Sequence, residues 1–139
     1  MSHPIYDTFQ PDGFSSVNGY LFVEKPQELI DFYKKAFYAE ELSRTVAEDT
    51  GIIRNCILKI GHSCIMLGQA TGDFSGMSTS FYLYVNDVDA LFENVVSHGA
   101  QVVFPPEEMD YGDRQGGVMD IAGNYWWISK RLTENQYEN

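Results

Sequence analysis

At 139 residues with 44% hydrophobic side chains, the chain is long enough for one domain with a sizeable core and needs no covalent staples. Twenty acidic against nine basic residues give a formal charge of -11, which repels phosphate backbones and excludes nucleic acid and anionic membranes as partners. No apolar run approaches the roughly 18–20 residues that span a bilayer, and Met1-Ser2-His3-Pro4 has neither the basic nor the apolar part of a signal peptide, so a cytoplasmic protein is expected.

Residues 1–16 mix Pro4, Pro11, Asp12 and Gly13 without a period and read as a leader, laid over the domain or frayed from it. A strand over 17–24 follows, and Pro26 opens a helix through about Phe37 whose apolar set Leu29, Ile30, Phe32, Tyr33, Ala36 and Phe37 has helical spacing. Three strands come next, over 41–47, 52–60 and 63–69, the last two joined at Gly61-His62. A two-residue turn there puts Cys56 opposite Leu67 rather than Cys64, so both cysteines are expected to be reduced packing residues. The first module, 17–69, is therefore β-α-β-β-β. Small and polar residues over 70–79 suit a linker.

The second module, 80–131, repeats the first at an offset of 62: Tyr20-Leu21-Phe22-Val23 returns as Tyr82-Leu83-Tyr84-Val85, and Gly61-His62 as Gly123-Asn124. A strand over 80–85 leads to Asn86 or Asp87 as N-cap of a helix that Gly99 stops. Strands are expected near 101–104, 116–121 and 125–130, with a long acidic excursion between the first two. The tail, 132–139, is polar and expected to fray. Strand alternation puts Leu21, Val23, Phe81, Leu83 and Val85 under the helices, and Asn18, Tyr20, Phe22, Ser80, Tyr82 and Tyr84 on the opposite faces. That second set is aromatic with hydroxyl and amide groups mixed in, which suits the lining of a cup.

Phe32-Tyr33-Lys34-Lys35-Ala36-Phe37, Val85-Asn86-Asp87-Val88-Asp89-Ala90-Leu91, Gly112-Asp113-Arg114 and Asp120-Ile121-Ala122-Gly123-Asn124-Tyr125-Trp126-Trp127-Ile128 together resemble the vicinal oxygen chelate superfamily. This is the glyoxalase, bleomycin-resistance and extradiol dioxygenase group, and the likeness is to its PhnB-like branch. The resemblance covers 17–131 as a single glyoxalase-like domain. It implies an α+β fold of two tandem β-α-β-β-β modules forming a curled-sheet cup, and frequent homodimers. It also implies a divalent metal held by His, Glu or Gln from the first and last strand of each module. Those positions fall here on Asn18, Ser80, Ile65 or Met66, and Trp127, none of them a good ligand, so no metal or other cofactor is expected. His3, His62 and His98 do not converge in the sequence pattern.

Trp126 and Trp127 are adjacent on a strand, so one enters the helix-facing core; the family register gives Trp127 to the cup, as a stacking platform or as simple filling. Arg114 is either a clamp for a ligand carboxylate or the partner of Asp113, Glu107 or Glu108. Arg54 and Arg44 have the same two readings. The candidate ligand-binding set is Asn18, Tyr20, Phe22, Arg54, Ser80, Tyr82, Tyr84, Arg114 and Trp127. No nucleophile elbow, phosphate loop, H-E-x-x-H or C-x-x-C is present. A dimeric, metal-free binder of an aromatic, amphiphilic or cationic small molecule is expected. The competing expectations are a lyase, isomerase or dioxygenase with atypical ligands or none, and a structural module whose aromatic face is filled by packing.

Overall fold

The computed structural model describes residues 2–137 and contains two four-stranded curled mixed sheets with two α-helices, an α+β glyoxalase-like fold. The first sheet has the order β1-β4-β3-β2, built from β1 (Tyr20–Val23), β2 (Glu40–Val46), β3 (Ile53–Ile60) and β4 (Ser63–Gln69). The second has the order β5-β8-β7-β6, from β5 (Ser80–Tyr84), β6 (Gln101–Glu108), β7 (Asp113–Met119) and β8 (Tyr125–Arg131). In each, the first strand lies parallel to the last, and the other neighbours are antiparallel.

The chain forms two compact units. One holds residues 2–27 and Ala39–Met77; the other holds Glu28–Tyr38 and residues 78–137. Most of α1 (Pro26–Ala36) therefore belongs in space with the second sheet, although it precedes the first hairpin in sequence.

Within the first unit, β3 buries Ile53, Cys56, Leu58 and Ile60, and Cys56 stands opposite Leu67 as the two-residue turn requires. The leader does not fray. After a single 3-10 turn at Pro4–Tyr6, it is hydrogen-bonded to β4 by Cys64 N to Gly13 O at 2.7 Å, and just beyond it Met66 N donates to Gly19 O at 3.0 Å. Gly13 has φ 84° and lies so close to Cys64 that a Cβ there would meet its Sγ at 2.5 Å, so only glycine fits this docking point. The linker also folds back: Met77 N donates to Phe22 O, and Phe74 stacks on Phe22 with ring centroids 5.0 Å apart.

Within the second unit, α2 (Val88–Ser97) is capped by the Asp87 carboxyl, which accepts from Ala90 N, and ends at Gly99 with φ 117°. Asn94 on α2 donates to the Lys35 and Ala36 carbonyls at the end of α1, satisfying acceptors that the helix leaves open. The core is aromatic: Trp126 lies 4.5 Å from both the Phe37 and Phe81 rings and 5.5 Å from Tyr33. A carboxyl group sits inside this core. Asp120, 3% exposed, accepts from Tyr33 OH (2.5 Å), Trp126 Nε1 (2.9 Å), Ala122 N and Asn124 N (2.9 Å each). Burial first, then the neighbouring Asp120, raises the Tyr33 pKa well above its ordinary value, which keeps the phenol a donor.

Two expectations need correction. The acidic excursion is not a loop: β6 continues to Glu108, and the ladder shifts register between Phe104 and Glu107 because Pro105 and Pro106 have no N–H to give. The last turn does not copy the first. Ile60 pairs with Ser63 across two residues, whereas Met119 pairs with Tyr125 across the five residues 120–124, whose amides Asp120 binds. No helix among the described residues is long and apolar enough to cross a membrane.

Candidate functional site

On the second sheet, alternate residues divide cleanly. Trp126 faces α1, and a Cβ on Gly116 would strike Phe92 of α2, so even-numbered β7 and β8 positions face the helices. The odd positions Asp113, Gln115, Gly117, Trp127, Ser129 and Arg131 therefore share the opposite face, with Tyr82 and Tyr84 beside them through the pairs Tyr82–Trp127 and Tyr84–Ser129.

This face has a polar floor. Asp113, Gln115 and Ser129 are 0%, 5% and 0% exposed, which demands that their polar atoms be paired. Tyr111 OH donates to Gln115 Oε1 at 2.6 Å, and Gln115 Nε2 donates to Ser129 Oγ at 2.7 Å. Asp113 Oδ1 accepts from Arg131 Nη1 at 2.9 Å; its Oδ2 accepts from Tyr82 OH in a very short bond and from Tyr137 OH at 2.6 Å. Tyr137 OH also lies 2.5 Å from Tyr84 OH, and its ring covers the Arg131 guanidinium at 4.1 Å. Tyr82 and Tyr137 are each nearly half exposed, so the carboxylate is sealed by one layer of side chains rather than by depth.

The electrostatics follow from this contact set. Burial pushes the Asp113 carboxyl up, but bonds from Tyr137, Tyr82 and Arg131 outweigh it and hold the group below the usual carboxylate range. Burial, then the bond to Asp113, pushes Tyr82 up to about 12, and the same causes raise Tyr137 further. At neutral pH Asp113 is therefore an anion held by one cation and by two phenols fixed as donors. A cavity of about 370 Å³ opens beside it, lined by Tyr84, Arg131 and residues 133–137.

Of the residues singled out in the sequence, Tyr82, Tyr84 and Trp127 come together here. Trp127 is half-buried and stacked with Tyr125 (5.8 Å, 7°) and Phe104 (5.8 Å, 21°). Ser80 is exposed at the start of β5, opposite Tyr125. Arg114 is on the helix side, where its fork grips Asp89 at 2.7 and 2.8 Å; of the three acids expected, Glu108, opposite it in the ladder, adds only a weaker attraction.

In the first unit, Asn18 lies before β1, and its amide is spent on Ser15: Oδ1 accepts from Ser15 N at 2.8 Å and Nδ2 donates to Ser15 O at 2.6 Å. Tyr20 donates to the Arg54 carbonyl, and its ring lies 5.0 Å from Phe22, which Phe74 covers. The Arg54 residue is exposed, and Arg44 is held by Glu41 and Gln27. Tyr20 pairs with Met66, so Met66 rather than Ile65 shares its face. A second cavity, about 330 Å³, is lined by leader residues including Ile5, Phe9 and Phe14 together with Asn18 and Met66. Among the described residues, no group of three or more His, Cys, Asp or Glu side chains could hold a metal ion.

The sequence pointed to Asp113 only as a possible partner of Arg114, and it missed Gln115, Ser129, Arg131 and Tyr137. Parity counted onward from Trp127 finds Ser129 and Arg131. Nothing in the polar tail signals Tyr137.

Comparison with known proteins agrees with this architecture. The glyoxalase/bleomycin resistance protein/dioxygenase superfamily profile matches residues 13–128. The uncharacterized protein Rv0887c of Mycobacterium tuberculosis is 33% identical over 139 residues, covering 92% of this chain and 81% of that protein. The uncharacterized protein Mb0911c of Mycobacterium bovis is 34% identical over 130 residues, covering 86% and 85%. Among solved structures, TioX from Micromonospora sp. ML1 superposes with a TM-score of 0.67 at 23% identity, over 84% of this chain and 99% of TioX. The Arabidopsis thaliana At5g48480 gene product gives 0.67 at 25% identity over the same shares. A profile that spans most of the chain, on a fold shared with these structures, establishes that the chain belongs to the glyoxalase/bleomycin resistance protein/dioxygenase superfamily.

Proposed function

We propose that this chain is a small-molecule binding protein that works without a divalent metal, a cytoplasmic homodimer of the PhnB-like branch of its superfamily. The observation that carries the reading is Asp113. A carboxylate with no exposed surface stands on an aromatic sheet face beside a cavity of about 370 Å³, held by Arg131 and by phenols that solvent reaches. Small-molecule sites have this composition: mostly aromatic surface with a few fixed polar groups that orient the ligand. The ligand class that fits is a planar aromatic bearing a hydroxyl or a cationic group, which the net charge of -11 also favours.

The family's metal positions do not fit a metal. They carry Asn18, Met66, Ser80 and Trp127, and the Asn18 amide already has Ser15 on both of its polar atoms. An amide, a thioether, a hydroxyl and an indole do not make a site for a borderline or hard divalent cation. Acid–base chemistry by Tyr82 is disfavoured as well, since a phenol at about 12 is far from the pKa that suits a proton donor near neutrality. Arg114 and Arg131 are committed to carboxylates.

Elemental analysis of dialysed protein is expected to find no stoichiometric Zn, Ni, Mn or Fe; one ion per chain retained through dialysis would overturn the metal-free reading. Sedimentation at micromolar concentration should give twice the chain mass, and a monomer mass would remove the dimer from the proposal.

A further inference from the structure

The group that closes the carboxylate site comes from a segment with no regular secondary structure. Residues 132–137 form no helix or strand, yet they bend back so that Tyr137 reaches Asp113, 24 positions earlier. Its phenol makes a complete set of contacts: it donates to a fully buried carboxylate at 2.6 Å, meets the Tyr84 hydroxyl at 2.5 Å, and lays its ring on Arg131 at 4.1 Å. Arg131 also holds the tail through the Asn135 carbonyl at 3.1 Å and the Gln136 carbonyl at 3.4 Å. Tyr137 is nonetheless 47% exposed, whereas Asp113 is 0% exposed. The cover can therefore leave; Arg131 and Tyr82 still hold Asp113, but Oδ2 loses one of its two donors and has room for an incoming one.

We propose that Tyr137 is a tethered stand-in for the ligand: the site takes a hydroxyaryl compound whose phenol replaces that of Tyr137 on Asp113, Tyr84 and Arg131, and binding requires the tail to leave. The inference rests on the reading of this face as a ligand site and adds to it the ligand's reactive group and a competitor built into the chain. Residues 133–137 form most of the wall of the neighbouring cavity, so their departure opens the surface over Tyr84 and Arg131 to the remainder of such a compound. A tethered competitor multiplies the apparent affinity by the fraction of molecules in which it is undocked. With a net worth near that of one hydrogen bond to a charged group, the reduction is about tenfold.

The test uses the full chain, native and Tyr137→Ala, titrated with p-cresol and, as a control lacking the hydroxyl, toluene. Affinity is measured by calorimetry, and the backbone amide of Tyr137 is followed by NMR in the native protein. The expected result is p-cresol binding about tenfold tighter to Tyr137→Ala, no such gain for toluene, and a Tyr137 amide that shifts toward random-coil values as p-cresol saturates. Equal p-cresol affinity in both proteins, with the Tyr137 amide unmoved, overturns the competition while leaving the sheet face as a ligand site. Absence of binding by either protein overturns the inference; the ligand site falls with it only if aromatic cations also fail to bind.

Discussion

Trp126→Ala should cost about 3–5 kcal/mol in urea unfolding, enough to remove a large part of a typical domain's stability. Trp126 is 2% exposed and fills the space between Phe37 and Phe81, so its loss opens a cavity that fixed aromatic rings cannot close. Its indole N–H also leaves the Asp120 carboxyl one donor short. Trp127→Ala, on the other face of the same strand, should cost only about 1–2 kcal/mol, because it is half-buried and gives up two offset stacks. Equal costs for the two substitutions, or a larger one for Trp127, would mean that the division of the sheet into helix face and site face is wrong.

Asp120→Ala should be as severe, about 4 kcal/mol, although it removes few atoms. The substitution strands the Tyr33 hydroxyl, the Trp126 indole and the amides of Ala122 and Asn124, and each buried donor left unpaired costs about 1–3 kcal/mol. Partial rescue comes from water entering the 120–124 turn, since Ile121 and Ala122 are exposed, so the full sum is not reached. Asp120→Asn keeps one acceptor and should fall between Ala and native. Chemical denaturation of the three proteins checks the order; a loss under 1 kcal/mol for Asp120→Ala would contradict a structural role for this carboxyl.

Where a periodic signal existed, the sequence was a sufficient guide. The 62-residue offset and strand alternation led to both four-stranded units and to the opposite orientations of Trp126 and Trp127. The Cys56–Leu67 pairing followed from turn length alone. The first residue of the offset to fail was at the hairpins: a two-residue turn and a five-residue turn look alike in a Gly-His and Gly-Asn comparison, and only the buried bonds of Asp120 distinguish them. The sequence left Ile65 and Met66 open for a related reason, since Tyr20 pairs with Met66 while Tyr82 pairs with Trp127, a separation one residue shorter. The spatial grouping of α1 with the second sheet was equally invisible, because helix periodicity names the buried stripe without naming its partner.

The site was half legible. Tyr82, Tyr84 and Trp127 were readable from parity, but the group that organises them was not: Asp113 reads as one acid in an acid-rich segment until Arg131 and Tyr137 are brought to it. Arg114 stood out by its position in a family motif, yet Asp89 on α2, 25 residues away, takes both arms of its fork. Contacts over such separations carry no local pattern.

Calorimetric titration of chelator-dialysed protein with p-cresol and with benzyltrimethylammonium, on native and Trp127→Ala chains, tests metal-independent binding at this face most directly. Saturable binding of at least one probe to the metal-stripped native protein is predicted, weakened by about 1–3 kcal/mol in Trp127→Ala. Heat that appears only after Zn, Ni, Mn or Fe is restored, or an affinity that Trp127→Ala leaves unchanged, would contradict it.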